Sequence, residues 1–336
     1  MNDDDPEISV ILPYFNAEAT LHSAIDSILK QKFESFELVL INNCSTDNSY
    51  QVAKNLASKH QKIRLIQENA PGVANAFNKG LQLANGKFIA RMDADDTSTP
   101  KRLEKQIQLL KDNRQISIVA SQVQLLPTNK NRGFQHFVNW SNKLISPEQI
   151  ALNRFVEQPV VNPSIMCRKE VFETVGSYKH GNFPEDYDWF LRVLEADYQI
   201  AKIPEPLLQW NDSASRLSRT DKRYSIAAFY KTKAFYLSKW LKKNNPFYPH
   251  IAIWGMGKKS KQRASLLEKY NINITAYIDV INAPEISETY YHFENIPPPG
   301  KIFIISYVGN RGAREKIRNF LIQKGYVEGK NFIMAA

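Results

Sequence analysis

The sequence predicts an α/β protein in two parts, each built on a mainly parallel sheet. Across the first 120 residues, short apolar runs alternate with segments whose apolar residues recur at helical spacing. After Asn244-Asn245-Pro246, which reads as a linker, a new strand begins at Ile251-Ala252-Ile253-Trp254 and a second α/β unit runs to Ala336. The composition, 43% hydrophobic and 23% charged with 13 Gly and 17 Pro, is that of ordinary globular domains, so extensive disorder and collagen-like structure are excluded.

The elements follow in order. Ile8-Ser9-Val10-Ile11-Leu12-Pro13 is a short apolar run and reads as a buried strand. Leu21, Ile25, Ile28 and Leu29 then fall at helical spacing. Phe36 to Ile41 is a second buried strand. A helix carrying Val52 and Leu56 opens near Ser45-Thr46-Asp47, residue types that favour N-caps. Ile63-Arg64-Leu65-Ile66 is a third strand, a helix follows Pro71-Gly72, and Lys87 to Met92 is a fourth strand. Thr99-Pro100 predicts the start of a helix with Pro in its first turn, and Leu103, Ile107 and Leu110 give its inner face. Sheets of this type bind ligands beyond the carboxyl ends of their strands. The loops after Leu12, Ile41, Ile66 and Met92 are therefore the ones to search.

The chain has 336 residues, long enough for two domains. Its large core needs no crosslinks. Cys44 and Cys167 are too few for a disulfide framework or a Cys-rich zinc site, which points to a reducing compartment. The acidic stretch Met1 to Glu7 lacks the basic start and apolar run of a signal peptide, and no apolar run approaches the roughly 20 residues of a membrane span. The expectation is a soluble, cytoplasmic protein. With 44 basic and 34 acidic residues the net charge is +10, which favours an anionic partner: a nucleotide diphosphate, an anionic lipid or nucleic acid.

Met92-Asp93-Ala94-Asp95-Asp96 puts three carboxylates where the sheet exposes its ligand edge. Such a turn suits a hard divalent cation that also grips phosphate oxygens. An EF-hand would need Gly where Ser98 stands, and a helix rather than a strand before the loop. Here a resemblance becomes specific. Val10-Ile11-Leu12-Pro13-Tyr14-Phe15-Asn16, Asn43-Cys44-Ser45-Thr46-Asp47, and Asn85-Gly86-Lys87 leading to Asp93-Ala94-Asp95-Asp96 resemble, in order and spacing, the motifs of family 2 glycosyltransferases. Residues 8–120 resemble the nucleotide-binding half of that family's GT-A fold, and the likeness extends to about Arg219.

The resemblance implies roles residue by residue. The turn holding Pro13, Tyr14 and Asn16 would face the nucleotide and Asn43 would meet the base. Asp93 and Asp95, with Asp96 as a further candidate, would hold ribose and a Mn²⁺ or Mg²⁺ on the diphosphate, the metal falling to Asp95 and Asp96. The chain departs from the family in three places. The family usually has an acid at Asn43, and an amide both accepts and donates, so UDP, GDP and dTDP donors all stay open. The usual Gly is Cys44. The Arg common in the third loop is Phe77, which removes one diphosphate partner.

Phe183-Pro184-Glu185-Asp186-Tyr187-Asp188-Trp189 precedes an amphipathic helix carrying Phe190, Val193 and Leu194. Acids at a helix start favour its dipole. The segment also resembles the Glu-Asp motif of inverting family 2 enzymes, which implies that Asp186 is the general base. Asn162-Pro163-Ser164 would border the acceptor. Arg216 and Arg219 carry guanidinium groups of a shape that suits phosphate; a solvated basic loop reads equally well.

Lys222 to Lys243 holds seven basic residues and no acidic one. Ile226, Phe229, Tyr230, Tyr236, Leu237, Trp240 and Leu241 share one arc, interrupted by Lys233. Peripheral contact with an anionic membrane is one reading; a connecting helix with solvated lysines is the favoured one. No nucleic-acid motif accompanies the charge. In the last segment Gly255-Met256-Gly257 follows a strand, and Asp279 ends the next one 22 residues after Gly257. That spacing matches a dinucleotide fingerprint whose third Gly is here Ser260, so Gly255, Gly257 and Asp279 form a possible second nucleotide site. A structural or regulatory Rossmann-like domain is favoured. A further loop, Gly309-Asn310-Arg311-Gly312, follows strand Ile302 to Ser306.

The resulting expectation is a GT-A domain at residues 1–220, a basic helix and linker at 221–246, and a small Rossmann-like domain at 247–336. Its activity would be that of an inverting, metal-dependent glycosyltransferase. It would move sugar from a nucleotide-diphosphate donor to a hydroxyl of a cell-envelope glycan or lipid-linked precursor. A nucleotidyltransferase making the sugar nucleotide, or a non-catalytic sugar-nucleotide-binding protein, are the alternatives.

Overall fold

The computed structural model of the protein describes residues 5–126, 132–212, 216–281, 289–310 and 312–336. Two compact units divide the chain. The first comprises Met1–Ile150, Pro159–Gly181 and Glu185–Thr220; the second comprises Ala151–Gln158, Asn182–Pro184 and Asp221–Ala336. Among the described residues no helix is long and apolar enough to cross a membrane.

The first unit opens with the alternation read from the sequence: β1 (Ile8–Tyr14), α1 (Leu21–Leu29), β2 (Phe36–Asn42), α2 (Ser49–Ala57), β3 (Ile63–Gln67), α3 (Val73–Leu83) and β4 (Phe88–Arg91). These strands pair in parallel in the order β3-β2-β1-β4. Every residue of β1 and β2 is buried, as continuous apolar runs covered on both faces require. The exception in kind is Glu37. Ser9 Oγ at 2.5 Å, Arg64 Nη1 at 2.6 Å and the Asn85 amide at 2.7 Å satisfy its carboxylate. Ser9 Oγ in turn accepts from the Gly86 amide at 2.8 Å, pinning the approach to β4.

After β4 come β5 (Thr97–Ser98), α4 (Arg102–Asp112), β6 (Ile116–Leu126), α5 (Arg132–Ser141), α6 (Pro147–Leu152), β7 (Met166–Arg168), α7 (Lys169–Val175), α8 (Glu185–Glu195), β8 (Gln199–Asn211) and α9 (Leu217–Thr220). They extend the sheet to eight strands, β3-β2-β1-β4-β7-β6-β8-β5. β7 is antiparallel to β4 and to β6, whereas β6 and β8 are parallel, with two irregularities in register near Gln122. Two expected boundaries move. Pro100 lies ahead of α4, which begins at Arg102, because the Pro100 carbonyl accepts from the Lys32 amide at 2.8 Å instead of serving the helix. The Glu185-Asp186 pair sits inside the first turn of α8 rather than before it.

The second unit contains α10 (Ile226–Asn244), β9 (His250–Trp254), α11 (Lys258–Glu268), β10 (Asn273–Asp279), β11 (Tyr290–His292), β12 (Ile304–Ser306), α12 (Ala313–Gln323) and β13 (Phe332–Met334). Its five strands are all parallel, in the order β11-β10-β9-β12-β13. The apolar arc of α10 is largely spent on packing within this unit: Tyr236, Leu237 and Leu241 are buried, and Trp240 meets the rings of Phe155 and Phe303 at 6.0 Å. Lys233, an interruption of that arc in the sequence, is itself buried. Its ammonium donates to the Val156 and Ala335 carbonyls at 3.0 Å each.

Candidate active site

The parallel strands of the first unit deliver their following loops to one edge. β1 ends in the turn 14–18 and β2 in the turn 43–47, and the two are laced together. Asn16 Oδ1 accepts from the Thr46 amide at 2.8 Å, and the Asn16 amide donates to Ser45 Oγ at 3.1 Å. Ala17 and Glu18 donate their amides to Ser49 Oγ and Asp47 Oδ2. Asn16 and Cys44 both have positive φ, +47° and +62°, and Asn tolerates that region better than most residues.

Pro13 and Tyr14 are the last two residues of β1. Both are buried, and Tyr14 is only 3% exposed, in the main core cluster. The strand continues through them, and a strand covered on both faces sends neither side to solvent. The exposed aromatic of the turn is Phe15, at 61%; its position next to Asn16 was the only sequence signal for it. Asn43 is likewise occupied. Its Nδ2 donates to the Glu68 and Ala70 carbonyls at 3.1 and 2.8 Å, and its Oδ1 accepts from the Gly72 amide at 2.7 Å. The amide organises the loop after β3, which explains why an amide can stand where the family has an acid: a carboxylate cannot donate.

The acidic turn follows β4. The Asp93 carboxylate accepts from Arg91 Nε at 3.0 Å. The end of β8 holds the other two residues: the Asn211 amide donates to Asp96 Oδ1 at 2.9 Å, and Asn211 Nδ2 to the Asp95 carbonyl at 2.5 Å. Burial and the Asp93 charge push the Asp95 carboxyl above the usual carboxylate range, with the Arg216 and Arg91 charges opposing. Burial, then Asp95 and Asp93, push Asp96 up as well. Among the described residues the buried Asp96 Oδ2 has no hydrogen-bond partner. Below the turn, the fully buried Arg102 donates to the Arg91 carbonyl at 2.7 Å and to Ser98 Oγ at 3.0 Å, fixing where β4 stops.

Among the described residues no three His, Cys, Asp or Glu side chains are grouped to cage a metal ion. The donors still fit an ion of another kind. Mg²⁺-type sites commonly use one or two carboxylates and take their remaining oxygens from substrate phosphates. Crowded carboxylates with an orphan buried oxygen have the electrostatic character such an ion would relieve.

Asp186 is half-buried at the open first turn of α8. Its Oδ1 accepts from the Tyr187 amide at 2.8 Å. Burial and then the Glu185 charge raise its carboxyl to about 7, against the lowering effect of Arg91 and the Tyr187 amide; the Asp93 charge is close enough to contribute. The fold thus brings residues more than 90 positions apart in sequence into one electrostatic neighbourhood. Asn162 accepts from the Tyr178 hydroxyl at 3.1 Å.

Arg216 stacks on Trp210, with its guanidinium 4.1 Å from the ring centroid, and donates to the Asn211 carbonyl at 2.9 Å. Its charge reaches Asp95 and Asp96. Arg219 differs: it forms an ion pair with Asp212 and lies 4.8 Å from the Phe134 centroid. The two arginines that look alike in sequence are therefore separated by their partners. In the second unit, Gly255 has φ +114°, and a Cβ there would lie 2.7 Å from Ser260 Oγ, so the turn requires glycine; Gly257 is uncrowded. Asp279 ties this turn to the end of β10. Its Oδ2 accepts from the Met256 amide and its Oδ1 from the Val280 amide, both at 2.7 Å. Arg311 of the neighbouring loop lies outside the described residues.

Known proteins resemble the chain in sequence and in fold. The profile of Glycosyl transferase family 2 matches residues 9–176. The chain is 30% identical over 226 residues to the putative glycosyltransferase EpsE of Bacillus subtilis (strain 168), covering 66% of this chain and 78% of that one. It is 32% identical over 205 residues to the Escherichia coli UDP-Glc:alpha-D-GlcNAc-diphosphoundecaprenol beta-1,3-glucosyltransferase WfgD, covering 60% and 74%. Among solved structures, S. aureus TarS 1–349 in complex with UDP-GlcNAc superposes with a TM-score of 0.57 at 16% identity, over 79% of this chain and 71% of that one. That likeness is one of fold. With a matched profile over half its length and its acidic turn at the end of β4, the chain belongs to glycosyl transferase family 2 and is a glycosyltransferase.

Proposed function

We propose that the first unit transfers a sugar, with inversion, from a nucleotide-diphosphate donor to a hydroxyl of a glycan or lipid-linked precursor in cell-envelope polysaccharide synthesis. The observation that carries this reading is the convergence of the acidic turn and the half-buried Asp186 on one electrostatic neighbourhood. WfgD, by its name, uses UDP-Glc and a diphosphoundecaprenol-linked acceptor, and a donor and acceptor of those classes suit this chain. UDP, GDP and dTDP donors all remain compatible with Asn43, whose amide is engaged by the loop after β3. The arc of α10 that is buried within the second unit leaves membrane contact by 222–243 no continuous apolar face, and we assign the helix a structural role.

A sugar hydroxyl is a poor nucleophile at neutral pH. Asp186 would take its proton as the oxygen attacks the anomeric carbon, and a base whose carboxyl titrates near 7 is matched to that task, typically worth about 10²–10⁴ in rate. Asp93 would hold the donor's ribose. Asp95 and Asp96 would hold a Mn²⁺ or Mg²⁺, which when bound supplies positive charge to the diphosphate as it leaves. Arg216, stacked and within reach of both acids, would add a second cation on that side. Attack opposite the leaving group inverts the anomeric centre.

The experiment pairs two variants. Asp186→Asn is expected to retain donor binding and lose transfer by about 10²–10⁴-fold. Asp95→Ala is expected to lose the metal-dependent part of donor binding, read as the melting-temperature shift with nucleotide diphosphate plus or minus Mn²⁺. Undiminished transfer by Asp186→Asn removes the base assignment.

A further inference from the structure

The carboxylates of the first unit lie on two segments distant in sequence, and one guanidinium binds the first and acts by its charge on the second. Arg91, the last residue of β4, is 4% exposed. Its Nε binds Asp93 at 3.0 Å. Its guanidinium lies 5.4 and 5.5 Å from the ring centroids of Phe77 and Tyr178 and meets the Tyr178 hydroxyl. Its charge also acts with those of Glu185 and Asp186 on α8. Among the described residues its buried Nη1 has no hydrogen-bond partner.

Burying a cation costs several kcal/mol unless its pairing is good. For stability alone, a guanidinium with five donors would be expected to use them. Among the described residues Arg91 instead leaves one nitrogen unsatisfied, and it packs beside two rings that are themselves in contact, their centroids 4.7 Å apart. The group is thus enclosed at a place where its charge acts on both acidic segments. We propose that Arg91 is a positioning residue of the transfer reaction: it sets Asp93 and Asp186 in a fixed relation, and it acts on the chemistry through Asp186. The proposal rests on the reading of Asp186 as the base.

The test is a double-mutant cycle on the full chain, with kcat, donor KM and pH profile measured per folded molecule. Arg91→Met is expected to lower kcat about 10²-fold, the order of loss when one preorganised group is removed, with a smaller change in donor KM. The acid limb of its kcat profile should move to higher pH. Glu185 and Asp93, which raise the Asp186 carboxyl, would remain, and Arg91, which with the Tyr187 amide lowers it, would be gone. Arg91→Lys should restore the limb and part of kcat. In an Asp186→Asn background, Arg91→Met should cost less than about threefold further, because residues acting as a unit are not additive. If Arg91→Met does not fold, Tyr178→Phe keeps the ring, removes the hydroxyl from the guanidinium, and should show the same loss of effect in the Asp186→Asn background. Equal factors with and without Asp186, or a lowered melting temperature with unchanged kcat, overturn the proposal. An active Asp186→Asn overturns the base assignment itself, so the two failures are distinguishable.

Discussion

At Asn43 a motif position and a structural task coincide. Its position after β2 matches a base-contacting site of the family, yet both its N–H groups and its oxygen serve the backbone of residues 68–72. Restoring the family's acid should therefore do harm. Asn43→Asp would set carboxylate oxygen against two carbonyls. It is expected to destabilise the loop by about 1–3 kcal/mol and to weaken donor binding, as measured by melting temperature and a donor titration. Tighter donor binding with no stability loss would mean that the amide is a substituted ligand group and not a loop organiser. At Asp186 the adjacent Glu185 is visible in the sequence, while the Arg91 and Asp93 charges that also act on its carboxyl come from a segment no local pattern connects to it.

Among elements, the parallel strands β1 to β4 were legible because each is a short apolar run, and the helices between them carry apolar residues at helical spacing. The later half of the sheet was not. β6 and β8 hold each other over long, irregular registers, and β7 is only three residues long, so their pairing depends on partners far along the chain. Close approach is equally invisible in one dimension. At Gly86 a Cβ would lie 2.5 Å from the Ser9 amide nitrogen and 2.7 Å from the Ile8 carbonyl carbon. Gly86→Ala must push the chain off β1 and break the Ser9 bond. A loss of about 1–3 kcal/mol is expected, read as a lower denaturant midpoint; an unchanged midpoint would show that β1 and β4 need no such contact.

At the scale of the whole molecule, each unit contains a lysine enclosed by carbonyls. Lys202 in the first unit donates to the Ser141 and Pro159 carbonyls, and Lys233 in the second donates to those of Val156 and Ala335. Burial pushes both ammonium groups down to about 7; at Lys233 the Arg263 and Arg314 charges push further, against the pull of Glu157. Between that value and the model-peptide range near 10.4, the unfolded chain binds more protons than the folded one. Stability should therefore rise with pH across the window, by at most about 1.4 kcal/mol per pH unit for each lysine. Melting temperatures measured from pH 7 to 9 should climb, and Lys233→Met should flatten the climb in the second unit. A pH-independent melt would mean that both lysines keep their ordinary protonation.

The class of each unit, the acidic turn after β4 and the Glu-Asp pair were legible in one dimension, because these depend on local periodicity and short motifs. Folding was needed to show that Tyr14 is core, that Asn43 and Asp279 bond their own loops, that Arg216 and Arg219 have different partners, and that Arg91 binds Asp93 while its charge acts on Asp186. The physical reason is common to all of them. A side chain's role follows from what competes for its hydrogen bonds and what screens its charge, and those competitors arrive from strands and loops that only the folded sheet brings together.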